Sequence, residues 1–171
     1  APSAALGDER HEEHGIEHPS LRPVGQLGRG EWEVKCSICS KPMKALPVDE
    51  AMEVNVTGVY SISKYFQERL TLNFYKETNI PTVALSYSLT YGPRQSIFNP
   101  YSGICSIFST RILNNLAPVV YEDGLQTRDF IYVKDVARAN LLVAENDNIR
   151  GEVFNVGTGR ATKLIDFLSI L

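Results

Sequence analysis

Two side chains with complementary acid–base chemistry, Tyr60 and Lys64, stand four positions apart in the run Val59-Tyr60-Ser61-Ile62-Ser63-Lys64-Tyr65-Phe66. On a helix that spacing puts both on one face. An ammonium beside a phenol favours the phenolate. A phenolate is the proton acceptor that oxidation of a hydroxyl to a carbonyl requires. In a chain with 8 Tyr a Tyr-x-x-x-Lys match arises by chance roughly 0.3 times per chain, so the pair gains meaning only from its surroundings. Alone, it equally fits a surface lysine lying along a half-buried tyrosine.

A second set of chemically capable residues lies nearer the start. His11-x-x-His14 and Cys36-x-x-Cys39 are two ligand pairs with the spacing of a tetrahedral zinc ribbon. Glu31 to Lys35 alternates like a short strand leading into the second pair. Bound zinc would explain how a segment so poor in core residues folds. The plain alternative is solvated histidines in a charged loop and two reduced surface thiols, with His18 facing solvent in either case. Gly25-Gln26-Leu27-Gly28-Arg29-Gly30 has the glycine content of a dinucleotide loop. However, Pro23 disfavours a central strand before it, and a strand-like run follows where a helix should begin. It reads as a turn-rich connection, leaving no strand, glycine loop and helix suited to a nicotinamide dinucleotide.

The elements that must position these groups follow from periodicity. Val59, Ile62, Phe66, Leu70 and Phe74 recur at helical spacing, predicting a helix to about Tyr75 with an apolar stripe. Ile80-Pro81 ends it. Thr82 to Tyr87 is the β-branched run of a buried parallel strand, and at its carboxyl end, where open α/β sheets bind ligands, lie Ser88 to Gln95. Ile104 to Leu113 reads as a helix with Ile104, Ile107, Phe108 and Leu113 inward and Cys105 as a core thiol. Val119 to Tyr121 and Arg128 to Val133 read as short strands, the latter entering a helix from Asp135 to Glu145. The neighbours Arg128 and Asp129 fit either a structural ion pair or, through the guanidinium, a fork for a diphosphate. Val153 to Val156 reads as a strand whose Gly157-Thr158-Gly159 turn opens the last helix as a phosphate cradle. Helices alternating with strands make the class α/β.

At 171 residues, 43% hydrophobic and 22% charged, the chain has the composition of a folded domain. A net charge of -3 without a basic stripe argues against nucleic acid. No apolar run approaches a membrane span and the first residues lack a signal-peptide pattern, so a cytoplasmic protein is expected. Three cysteines do not make a disulfide framework. The absence of an initial Met and the apolar helical pattern still running at Leu164 to Leu171 suggest a piece of a larger protein.

Five segments in one order resemble the extended short-chain dehydrogenase/reductases, specifically the NAD-dependent sugar-nucleotide epimerase/dehydratase family: Val59 to Lys64, Tyr91-Gly92-Pro93-Arg94-Gln95, Asn99-Pro100-Tyr101-Ser102-Gly103, Arg128 to Ala137, and Gly151 to Gly159. The likeness covers residues 46 to 171. Residues 1 to 45 resemble a zinc-ribbon-like insert of one bacterial branch, with His11 in place of a Cys. The resemblance implies a partial Rossmann-like doubly wound parallel sheet that lacks its N-terminal dinucleotide-binding half. It implies NAD chemistry on a nucleoside-diphosphate sugar, of the UDP-glucose 4-epimerase kind. Tyr60 would take the sugar hydroxyl proton and Lys64 hold the nicotinamide ribose, with Ser3 as the third catalytic member. Ser88 would contact the nicotinamide. Arg128 would hold the diphosphate, with Asn99 and Tyr121 near the nucleotide, and Leu89 stands where the family carries a substrate-facing amide. The metal set would be His11, His14, Cys36 and Cys39. The isolated 171 residues are expected to bind NAD weakly or not at all, to be inactive, and to self-associate, a homodimer being one form. The alternatives are a dehydratase or reductase of the same family, or a non-catalytic binding or interaction protein.

Overall fold

The computed structural model describes residues 9–18, 20–56, 58–98 and 103–171. Ser3 and Asn99 therefore lie outside the described residues. The chain divides into two compact units, one reaching to Arg69 and the other running from Leu70 to Leu171.

In the first unit, β1 (Glu9–His11), β2 (Gly15–Glu17), α1 (Val24–Leu27) and β3 (Lys44–Ala45) precede the opening turns of α2 (Val59–Thr78). The strands form a small antiparallel sheet in the order β2-β1-β3. Buried Cys36, Met43 and His11, rather than a layer of large aliphatics, make its centre. The glycine-rich stretch forms the four-residue α1 and the turns after it, with Pro23 as N-cap. The expected strand over Glu31 to Lys35 is reduced to a single bridge between Lys35 and Pro42. Glu31 spends its carboxylate on Arg29 and Lys35 instead. These two cations hold its carboxyl down at about 2, with the Arg29 hydrogen bond the largest cause.

α2 is longer than the apolar stripe alone predicted and ends at Asn79, whose φ of 57° and N–H to the Tyr75 carbonyl (2.8 Å) make a left-handed cap. The stripe itself is exposed: Phe66 keeps 60% and Val59 87% of its surface, and Ser61 is the buried residue of the helix.

The second unit continues with β4 (Val83–Tyr87), β5 (Leu89–Tyr91), α3 (Ile104–Leu113), β6 (Thr127–Arg128), β7 (Phe130–Tyr132), α4 (Val133–Ala144), β8 (Glu152–Val156), β9 (Thr162–Lys163) and α5 (Leu164–Leu168). β4 pairs β8 in parallel with Leu85 opposite Phe154, and β5 pairs β7 in parallel with Thr90 opposite Ile131. Parallel neighbours need crossover connections, and α3 and α4 supply them. α4 packs against β4, where the Tyr87 hydroxyl donates to Asn140 Oδ1 (3.0 Å). Phe108, Ile131, Leu164 and Cys105 are the buried apolar residues here, and Phe130 stacks on Phe167 with ring centroids 4.5 Å apart.

Four local expectations change. Val119 to Tyr121 is irregular rather than a strand. The Arg128 to Val133 strand is split at Asp129 into β6 and β7. α3 buries Cys105 and Phe108 as expected and Ser106 with them, while Ile107 and Leu113 are exposed. Finally, the Gly157–Gly159 turn leads into β9, which pairs antiparallel with β6, before α5 begins.

Candidate active site

α2 places Tyr60 and Lys64 on one face, as their spacing predicts: Lys64 Nζ lies 5.7 Å from the centre of the Tyr60 ring. Both are solvent-exposed, Tyr60 keeping 59% of its surface. Lys64 Nζ also reaches Gln67 Oε1 at 3.4 Å, so phenol, ammonium and amide form one polar face, backed by the apolar stripe. The arrangement sets a cation beside a phenol on one helix face.

The other predicted cofactor- and substrate-site residues that are described lie in the unit from Leu70 onward, on separate stretches of the chain. Ser88 and Leu89 join β4 to β5; Ser88 N–H donates to the Val156 carbonyl and Leu89 N–H to the Asp129 carbonyl, each at 2.9 Å. Arg128 is exposed and its Nη1 donates to the Thr127 carbonyl (2.7 Å), its backbone held on β6 opposite Thr162. Tyr121 is 76% exposed, its carbonyl accepting from Gln126 Nε2 (3.1 Å). At the ends of β5 and β7 a cleft of about 760 Å³ is lined by Tyr91, Pro93, Arg94, Tyr132 and Lys134, among others. The Tyr91 and Tyr132 rings lie 5.7 Å apart at 51°. Tyr132 and Lys134 were not singled out from sequence; their position at and just past the end of β7 was the available signal.

Asp129 overturns one expectation. Its carboxylate accepts the N–H groups of Thr158 (2.9 Å to Oδ2) and Gly159 (3.0 Å), together with the Thr158 hydroxyl. The Thr158 and Gly159 amides are thus already taken by an internal anion, and the turn is a capped connection rather than a phosphate cradle. The other glycine-rich stretch follows Pro23 rather than a strand and opens a helix of only four residues. Among the described residues, neither loop offers the strand, free amides and long helix that a dinucleotide pyrophosphate takes.

The His/Cys pairs come together as their spacing suggests. The donor atoms of His11, His14, Cys36 and Cys39 all lie within 4.8 Å of one another. His14 Nδ1 is 3.3 Å from Cys36 Sγ, and His11 Nε2 is 3.3 Å from Cys39 Sγ. Tetrahedral zinc bonds imply nitrogen–sulfur edges of about 3.5 Å, so the donor set fits that ion. Both knuckles aim a backbone N–H at their leading ligand, Glu13 at His11 Nδ1 (3.2 Å) and Ile38 at Cys36 Sγ (3.4 Å). The two imidazoles stack 4.6 Å apart. His18, expected outside the set, sits 3.6 Å from Glu53.

The comparisons with known proteins bear on the same residues. Residues 37–157 match the model of the "NAD dependent epimerase/dehydratase family". The chain belongs to that family. The dTDP-L-rhamnose 4-epimerase of Burkholderia thailandensis is 31% identical to this epimerase/dehydratase chain over 156 residues, 91% of the chain and 42% of the relative. That match takes in most of the Cys/His segment. A UDP-N-acetylglucosamine 4-epimerase from Methanobrevibacter ruminantium M1, solved with UDP-N-acetylmuramic acid, shares 36% identity with a TM-score of 0.69 over 73% of the chain and 40% of that structure. The UDP-glucuronic acid 4-epimerase of Bacillus cereus, solved with UDP-glucuronic acid and NAD, shares 30% identity with a TM-score of 0.67 over 74% of the chain and 40% of that structure. The chain thus spans about two fifths of the length of these relatives. Its fold is the α/β, Rossmann-like fold of the family, with the parallel strand pairs described above. No described helix is long and apolar enough to cross a membrane.

The three thiols differ in chemistry. Burial pushes Cys105 up to about 11, and Cys36 is raised first by burial and then by its hydrogen bond to Glu17. The thiolate is the reactive form. In metal-free protein at pH 8, iodoacetamide should therefore label Cys39 before Cys36 and Cys105, as read by peptide mass spectrometry. Prompt labelling of Cys105 in the folded chain would contradict the burial described.

Proposed function

We propose that this chain is part of an NAD-dependent epimerase of nucleoside-diphosphate hexoses, acting at C4. The observation that carries the reading is the shared face of Tyr60 and Lys64 in a chain of this family, whose relatives reported above are 4-epimerases. Tyr60 takes the proton of the sugar hydroxyl on its phenolate oxygen and gives it back after the sugar has presented its other face. Lys64 stabilises the phenolate and holds the nicotinamide ribose. When bound, NAD supplies a reversible hydride acceptor. In this reading Ser88 would contact the nicotinamide, Arg128 would hold the diphosphate, and Tyr121 and Asn99 would serve the nucleotide. Ser3 is the third member of the acid–base set. Leu89 gives the substrate side an apolar contact where the family has an amide, the feature that favours the non-catalytic alternative.

In the gene product that contains this stretch, Tyr60→Phe should lower turnover of UDP-glucose by at least about 100-fold, the range of general acid–base catalysis. The 171 residues alone should show no turnover and no micromolar affinity for NAD. Full turnover in the Tyr60→Phe protein would remove Tyr60 from the chemistry, and absence of turnover in the unaltered gene product would favour the non-catalytic reading.

Residues 1 to 45 form, in this reading, a zinc-ribbon-like insert ahead of an epimerase segment from residue 46. The donor spacing supports it. Purified chain should carry about one equivalent of zinc by elemental analysis, and Cys36→Ser should reduce it. Stoichiometric zinc retained in the doubly altered Cys36→Ser, Cys39→Ser chain would rule out this site.

The exposed apolar stripe of α2 supports self-association, a homodimer being the simplest form. Sedimentation at micromolar concentration should show species larger than the monomer, and Phe66→Glu should restore the monomer. A monomeric unaltered chain at 100 micromolar, about a hundredfold above the low end, would count against it.

A further inference from the structure

Three separated stretches of the second unit converge on one carboxylate. The Asp129 oxygens take the N–H groups of Thr158 and Gly159 and the Thr158 hydroxyl, and the Ser88 hydroxyl donates to Oδ2 at 3.4 Å. The Asp129 carbonyl takes the Leu89 N–H at 2.9 Å. The approach is close enough that a Cβ on Gly157 would collide with both Asp129 Oδ2 and Ser88 Oγ. The residue therefore ties the β4–β5 junction, the β6–β7 junction and the turn after β8 into one knot.

Two of the stretches carry proposed ligand contacts. Arg128 has an exposed side chain whose described hydrogen bond goes to the adjacent Thr127 carbonyl, so the backbone at its root decides where the guanidinium points. That backbone is fixed on one side by the β6–β9 ladder and on the other by Asp129. Ser88 is held by the Val156 carbonyl and by the same carboxylate.

We propose that Asp129 is a positioning residue for nucleotide-sugar binding, setting where Arg128 meets the diphosphate and where Ser88 stands. The proposal rests on the reading of Arg128 as the diphosphate ligand. Ionised acceptors make shorter and stronger bonds to N–H groups than neutral ones do. An amide in place of the carboxylate would keep one accepting oxygen and turn an NH₂ toward a row of donors. Supporting groups of this kind typically change affinity by about 10- to 100-fold.

The test titrates the gene product that contains this stretch with UDP and, separately, with uridine, and compares the two affinities in the unaltered protein, Asp129→Asn and Thr158→Val. Only UDP carries the diphosphate, so a general loss of folded protein lowers both affinities together, whereas misplacement of Arg128 lowers their ratio. Asp129→Asn should lower the ratio by about 10-fold or more. Thr158→Val, which keeps the backbone donors and loses the hydroxyl, should lower it by about 3-fold. An unchanged ratio in Asp129→Asn overturns the proposal and leaves Asp129 a structural cap. If that variant does not fold, an unchanged ratio in Thr158→Val overturns it. An unaltered gene product that binds UDP no better than uridine overturns the diphosphate reading of Arg128 itself, and the proposal with it.

Discussion

The carboxyl ends of β4 and β8 and the amino ends of β5 and β7 are held together by an anion that meets backbone N–H donors. Parallel strands end with their next amides pointing out of the sheet, and a turn such as Gly157–Gly159 concentrates those donors. Left to solvent, such a turn would be free to accept a phosphate. Filled by the Asp129 carboxylate, it becomes a rigid corner. The same residue gives its carbonyl to Leu89, so the two parallel pairs, β4 with β8 and β5 with β7, are joined through it. Gly157 is the matching constraint, since its missing side chain makes room for both Asp129 and Ser88.

Much of this was legible in the sequence where one physical signal dominated. The α2 helix, the β4 and β8 strands and the span of α3 follow from hydrophobic period and β-branched content. The shared face of Tyr60 and Lys64 follows from helix geometry alone, and the His/Cys cluster from ligand spacing. What could not be read depends on contacts between distant positions. Asp129 bonds to a turn 29 residues away, and nothing local distinguishes it from the ion-pair partner its neighbour Arg128 suggested. The break it makes between β6 and β7 is hidden for the same reason.

The errors on α3 and at Val119 to Tyr121 have a common cause. Hydropathy ranks side chains by their cost in water, but burial is decided by what the neighbours leave room for. Ser106 is turned inward while Ile107 and Leu113 face outward, against the ranking. Val119, Val120 and Tyr121 have strong β propensity but lie in an irregular stretch, and β propensity has little effect without a partner strand. In the first unit the core is built from a thiol, a thioether and an imidazole. A core of that kind is specified by the chemistry of its few members rather than by area removed from water.

The mixed composition of the His/Cys cluster has an electrostatic consequence. A divalent cation held by two thiolates and two neutral imidazoles carries no formal charge, whereas four thiolates around the same ion would leave two negative charges. Glu17 Oε1 already lies 2.9 Å from Cys36 Sγ, and Glu12 and Glu13 sit in the turn between the two histidines. Lys44 and Lys41 pair with Glu12 and Glu13, so the Glu17 carboxylate beside Cys36 is the charge that a neutral cage would tolerate and an all-cysteine cage would repel.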